Sequence, residues 1–208
     1  MRISTDEVAY VVVPSTALFM PANVLHAVRM DGPVAMRALF LRQDAAAHGP
    51  ARTTVITVSP LLREVILAAC AEPLCWDLHG RGRHLTALAL DEIARAAPLP
   101  LSLSMPRDPR LQRVAAILLA HPSDPRGLED FAALAGASSR TLVRLFRTET
   151  GTSFRQWRQQ VRMMEALGAL STGTSPAQAA SLAGYASVPA FGAAFHAVFG
   201  LTPGQARK

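Results

Sequence analysis

Arg140, Arg144 and Arg147 stand at spacings of four and three in the stretch "SSRTLVRLFR", residues 138–147. Such spacings place side chains on one face of an α-helix. Turning about 100° per residue from Arg140, Arg144 falls at roughly 40° and Arg147 at roughly 340°, while Leu142, Leu145 and Phe146 fall at roughly 200°, 140° and 240°. One face is apolar and needs a core. The other carries three permanent cations. A guanidinium offers a planar fork of donors that matches a phosphate, or the O6 and N7 edge of guanine. Val143, beside them at roughly 300°, has the methyl groups to meet thymine. The bland reading of one such helix is a solvated charged face, so the rest of the chain must decide.

The charge distribution favours an anionic partner. Of the 208 residues, 21 are Lys or Arg and 15 are Asp or Glu. Residues 1–106 hold nine arginines against nine acids, whereas residues 107–208 hold twelve cations against six acids. The whole net charge of +6 thus resides in the second half, which is built to meet a polyanion. No nucleophile motif, phosphate-binding loop or paired-carboxylate spacing occurs. Catalytic, cofactor-binding and metal-binding residues are all assigned as none, and the chain is not expected to be an enzyme. No apolar run reaches the ~18 residues that a membrane span requires. Cys70 and Cys75 are expected as reduced, buried thiols.

The elements that must position these arginines follow from local pattern. Five short apolar or alternating runs read as strands: 8–13, 17–21, 25–30, 34–41 and 53–59. Helices are expected at 60–71 and 82–97. The stretch "PLPLSLSMPRDPR", 98–110, carries four prolines, and 98–109 reads as an interdomain linker because proline cannot continue a helix. Beyond it the pattern is helical: 110–120, 127–134, 139–149, 153–170, 176–183, 188–198 and a short helix from 203.

A duplication explains the arginine helix. "LAGASSRTLVRLFRTETG" (134–151) is followed by "LAGYASVPAFGAAFHAVFG" (182–200). Ser138, Leu142, Phe146 and Gly151 are matched 49 residues later by Ser187, Phe191, Phe195 and Gly200. Each copy has a small-residue helix, a glycine-containing turn, a serine at an N-cap, an amphipathic helix and a glycine stop. That is the layout of a helix-turn-helix, whose second helix enters the major groove. The intervening 18-residue helix would be about 27 Å long, against ~34 Å between successive major grooves on one DNA face. Double-stranded DNA is therefore the expected partner, read as two adjacent half-sites. Arg155, Arg158 and Arg162 on the connecting helix reach phosphates, pair with Glu165 or face solvent. Tyr185 either anchors its turn or meets a phosphate.

On these motifs the second half resembles the DNA-binding domain of the AraC/XylS family of bacterial transcription regulators. The match rests on "SSRTLVRLFRTETGTSFRQWRQQVRM" and "AGYASVPAFGAAFHAVFGLTPGQAR". The first half, notably "FMPANVLHAVRMDGPVAMRALFL", is similar to the later strands of that family's cupin-like sensor, whose earlier strands would precede residue 1. The resemblance implies an α+β two-domain chain. A partial cupin-like barrel with helices (1–97) would sense a small-molecule effector, and an all-α, homeodomain-like double helix-turn-helix domain (110–208) would bind DNA. It implies DNA contacts from Ser139, Arg140, Thr141, Val143, Arg144 and Arg147 in the first copy, and from Ser187, Gly192 and His196 in the second. It also implies a cytoplasmic regulator, monomer or homodimer, with RNA polymerase as a further partner. The second copy departs from the family pattern: Pro189, Ala193 and His196 replace the three arginines, so its share of specificity is expected to be the smaller. His26 falls where cupin enzymes place a metal histidine, yet no companion ligands exist, so it is read as an effector-pocket residue. The rival reading is a cupin-like metal-dependent enzyme, or a small-molecule binding module, with a secondary DNA-binding domain.

Overall fold

A computed structural model describes residues 1–30, 34–42, 49–73, 75–77 and 79–207. Seven strands among them form two open sheets rather than a closed barrel. The first has the order β4-β1-β2-β7, from Ala27–Arg29, Arg2–Ser4, Val8–Val11 and Ser102–Ser104. The second has the order β3-β5-β6, from Thr16–Phe19, Thr54–Thr57 and Pro98–Leu99. All pairings are antiparallel. The expected partial cupin-like barrel is corrected to this pair of sheets.

Two further expectations change for physical reasons. Residues 34–41 alternate like a strand but form none and pair with neither sheet. Val34, Met36 and Phe40 are left exposed, Phe40 at 96%. The proline-rich stretch read as a linker instead supplies an edge strand to each sheet, β6 and β7. Proline is tolerated at a sheet edge, where its missing N–H breaks no ladder bond. Between these strands Leu101, and within β7 Leu103, are 0% and 1% exposed. Cys70 and Cys75 are free but exposed rather than buried.

Two helices, α1 (Pro60–Ala71) and α2 (Arg81–Arg95), pack on each other beside the second sheet. Seven more follow: α3 (Pro109–Ala120), α4 (Leu128–Leu134), α5 (Ser139–Thr150), α6 (Phe154–Ser171), α7 (Pro176–Leu182), α8 (Val188–Phe199) and α9 (Pro203–Ala206). None of the helices described is long and apolar enough to cross a membrane. One apolar cluster runs from Ile3, Tyr10 and Leu103 in the first sheet, through Leu111 and Trp157, to Phe191 and Phe195 near the C-terminus.

Polar contacts fasten the sheet to the helices. Trp157 Nε1 donates to the Ser104 carbonyl at 2.8 Å. Arg2 reaches the Leu119 carbonyl at 2.7 Å and Glu165 at 3.0 Å. Glu149 accepts from the backbone N–H groups of Arg107 and Asp108 at 2.8 and 2.9 Å.

Two short-range ion pairs brace the entries to α3 and α4. Asp108 accepts from the backbone N–H and side chain of Arg110, and Asp124 does the same with Arg126. The side-chain bond from Arg110 holds the Asp108 carboxyl at about 2, and that from Arg126 holds Asp124 at about 2. A depressed carboxyl stabilises the fold above its unfolded value, and that contribution is lost as pH falls through the folded one. Melting temperature is therefore expected to hold down to about pH 4, the ordinary carboxylate range, and to fall between there and about pH 2. Asp124→Asn should lower the melting temperature at pH 7 and flatten that decline. An identical decline in the variant would remove Asp124 from the account.

Candidate nucleic-acid interface

The first helix-turn-helix is α4 and α5. Ser138 caps α5 by accepting from the Thr141 N–H at 3.2 Å. Gly151 ends the helix with φ of 72°, a left-handed conformation that glycine adopts without a Cβ penalty. Leu142 and Phe146 are fully buried. The Phe146 ring lies 5.4 Å from that of Phe154 and 5.8 Å from Trp157. This aromatic core fixes how α5 rolls, and so which side chains face out.

The outward face is the one expected. Arg140, Arg144 and Arg147 are exposed, and Val143 lies between them at 40%. None of the three guanidiniums has a hydrogen bond or ion pair in the described structure. Ser139 and Thr141 are half-buried at the N-terminal turn, and the Thr141 hydroxyl lies 2.9 Å from that of Ser138.

The second helix-turn-helix, α7 and α8, repeats the plan. Ser187 caps α8 by accepting from the Ala190 N–H at 3.3 Å, and Gly200 ends it with φ of 69°. Phe191, Phe195 and Phe199 stack along its buried side with ring separations of 5.3 and 4.7 Å. Its outer face holds Ser187, Pro189, Ala193 and His196, all exposed, with Gly192 half-buried. No Arg or Lys occurs in α8.

The connecting helix α6 opens with a capping box in which Ser153 and Gln156 satisfy each other's backbone N–H groups. Of the alternatives for its arginines, pairing with Glu165 is not adopted, because Glu165 is bound by Arg2. Arg158 and Arg162 donate instead to carbonyls of the loop before α4, an arrangement that helical spacing does not reveal. The Tyr185 hydroxyl accepts from Gln159 at 3.1 Å, so it ties the second turn to α6. Burial raises its pKa above the ordinary value.

His26 does not join these residues. It is exposed, with Nδ1 2.9 Å from the Val24 carbonyl, and it is not among the residues that line the cavity between the first sheet and the helices. Among the described residues no group of three or more His, Cys, Asp or Glu side chains is placed to hold a metal ion.

Comparison with known proteins agrees with this geometry. A family model described as a helix-turn-helix domain matches residues 131–208. The HTH-type transcriptional regulator NimR of Escherichia coli K12 is 29% identical over 202 residues, which span 97% of this chain and 74% of that protein. The transcriptional activator NphR of Rhodococcus is 41% identical over 100 residues, 48% of this chain and 29% of that protein. Against NphR the match is thus confined to about half of this chain and under a third of the relative. Among solved structures, a transcriptional regulator with an AraC-type DNA-binding domain from Chromobacterium violaceum is similar to 48% of this chain and 89% of that chain, at 29% identity and a TM-score of 0.45. With two helix-turn-helix units in tandem, an arginine face turned outward, and transcription regulators as relatives, the chain carries a helix-turn-helix domain similar to those of DNA-binding transcription regulators.

Proposed function

We propose that this regulator binds double-stranded DNA sequence-specifically, laying α5 in one major groove and α8 in the next, with α5 carrying the larger share of specificity. The observation behind this is the state of the three outward guanidiniums. Several arginines elsewhere are engaged, Arg2 with Glu165, Arg110 with Asp108 and Arg126 with Asp124. Arg140, Arg144 and Arg147 are exposed without a partner. A bidentate arginine contact discriminates a guanine by about 1–3 kcal/mol. On α8, Ser187, Gly192, His196 and the N-terminal backbone make the weaker contacts.

The same proposal assigns roles along the chain. Residues 110–208 bind DNA, residues 1–97 regulate, and 98–109 join them. A small-molecule effector is part of this reading, and a partly open cavity of about 220 Å3 between the first sheet, α3 and α6 offers it space. The protein acts in the bacterial cytoplasm, with RNA polymerase as the machinery it influences.

The test is selection of bound duplexes from a random pool, followed by gel-shift titration at fixed salt. Arg144→Ala is expected to weaken the selected duplex about 5- to 150-fold and to relax preference at one base pair, from a contact of about 1–3 kcal/mol. Ala193→Ser should change little. Equal losses for the two variants would count against an α5-dominated reading.

A further inference from the structure

Between the two heads lies a groove of about 670 Å3. Pro125, from the loop that enters α4, lines it on one side, and Tyr185, from the turn that enters α8, on the other. Between them α6 contributes Arg155, Arg158, Gln159 and Arg162, residues that share one helix face.

Three guanidiniums line this groove and no carboxylate does. Two of them are held in place by backbone oxygens. Arg158 donates to the Arg126 carbonyl at 2.7 Å and to that of Asp124. Arg162 donates to the Pro122 carbonyl at 2.9 Å. A carbonyl orients a guanidinium but leaves its charge uncancelled. The nearby Asp124 carboxylate is occupied through both oxygens by Arg126. Arg158 Nε is buried with no acceptor. Burial, and then the neighbouring Arg162, disfavour the charged form of Arg158, a penalty that a bound anion would offset. Arg155 is exposed and makes no hydrogen bond or ion pair in the described structure.

The second head is seated directly on this charge. A Cβ on Gly184, whose φ is +76°, would come within 2.6 Å of Arg162 Nη1. An anion in the groove would therefore lie against both heads at once. A continuous phosphodiester chain does that more naturally than one small ion.

We infer that this groove is a third DNA contact, seating the phosphodiester backbone between the two major-groove segments and reading no base. The inference rests on the reading that α5 and α8 enter successive grooves. Its ligand chemistry is phosphate, which free phosphate shares, so the two sources are tested separately. Contacts of this kind set register and affinity but carry no sequence information.

The experiment uses the full chain, fluorescence anisotropy, and salt titrations between 50 and 200 mM KCl. Two duplexes are compared: one recovered by selection and a scrambled one of equal length. Arg155→Gln is expected to lower the slope of log affinity against log salt by about 0.9, with the same fractional loss of affinity on both duplexes. Gln159→Lys, which adds a cation to the groove, should steepen the slope by a similar amount. Unchanged slopes in both variants overturn the inference. So does a loss confined to the selected duplex, which would make Arg155 a base reader. Inorganic phosphate is tested by melting temperature: stabilisation of the wild type that Arg155→Gln abolishes, alongside unchanged DNA slopes, would assign the groove to a free anion. The reading of α5 stands or falls on a different variant. If Arg144→Ala leaves the selected duplex fully bound while Arg155→Gln changes the slope, α5 has been misassigned and the groove contact survives.

Discussion

Changing Arg140, Arg144 and Arg147 together to glutamine leaves a folded protein that no longer prefers its selected duplex. The three side chains are exposed and make no hydrogen bond or ion pair in the described structure, so folding stability should move by no more than about 0.5 kcal/mol. DNA binding changes on two counts. The salt slope falls by up to about 2.7, three times the ~0.9 carried by each neutralised phosphate. Every arginine that meets a base rather than a phosphate also removes about 1–3 kcal/mol of discrimination. Residual binding should be weak and indifferent to sequence. Anisotropy titrations at several salt concentrations read both effects, and circular dichroism checks the fold. A slope within error of the wild type would show that this face does not meet DNA.

Trp157→Ala should act on the fold instead. Trp157 is 0% exposed, packs on Phe146, and donates its indole N–H to the Ser104 carbonyl. Truncating a buried tryptophan costs about 3–5 kcal/mol, a large part of the ~5–15 kcal/mol that stabilises an ordinary domain. Because that hydrogen bond joins α6 to β7, the loss should spread to the sheet as well as to the first head. Trp157→Phe separates the two terms. It keeps most of the apolar volume and gives up the hydrogen bond, worth about 0.5–1.5 kcal/mol. Urea unfolding followed by circular dichroism measures both. If the two variants prove equally destabilised, the indole N–H matters more than the packing.

The helical half was legible because its signals are local and repeated. Ser138 and Ser187 announce the reading helices, Gly151 and Gly200 end them, and the buried apolar positions that roll them recur 49 residues apart. Predicted and observed boundaries there agree to within about a residue. The sheets were less legible. β1 spans only Arg2–Ser4, too short for alternation to register. β6 and β7 hide among prolines that ordinarily mark a loop, and only their place at the sheet edges makes them strands. Residues 34–41 show the converse: alternation is a capacity to pair, which this stretch does not realise. In the interface, spacing told which arginines share a face of α6. It could not tell that Arg158 and Arg162 turn to carbonyls across the loop, or that Glu165 is taken by Arg2, because those partners are fixed by tertiary packing.

The two reading helices are alike in backbone and unlike in charge: α5 shows three arginines where α8 shows Pro189, Ala193 and His196. A twofold-symmetric dimer with identical heads can be turned end over end on its operator without changing anything. This chain cannot. On the proposed reading, a single copy on its site would have a leading and a trailing end, set by which half-site α5 takes. Reversing the site relative to the start of transcription would present the opposite flank of the protein to whatever waits there. The order of the two half-sites along the chromosome is then itself a signal, one that neither half-site carries alone.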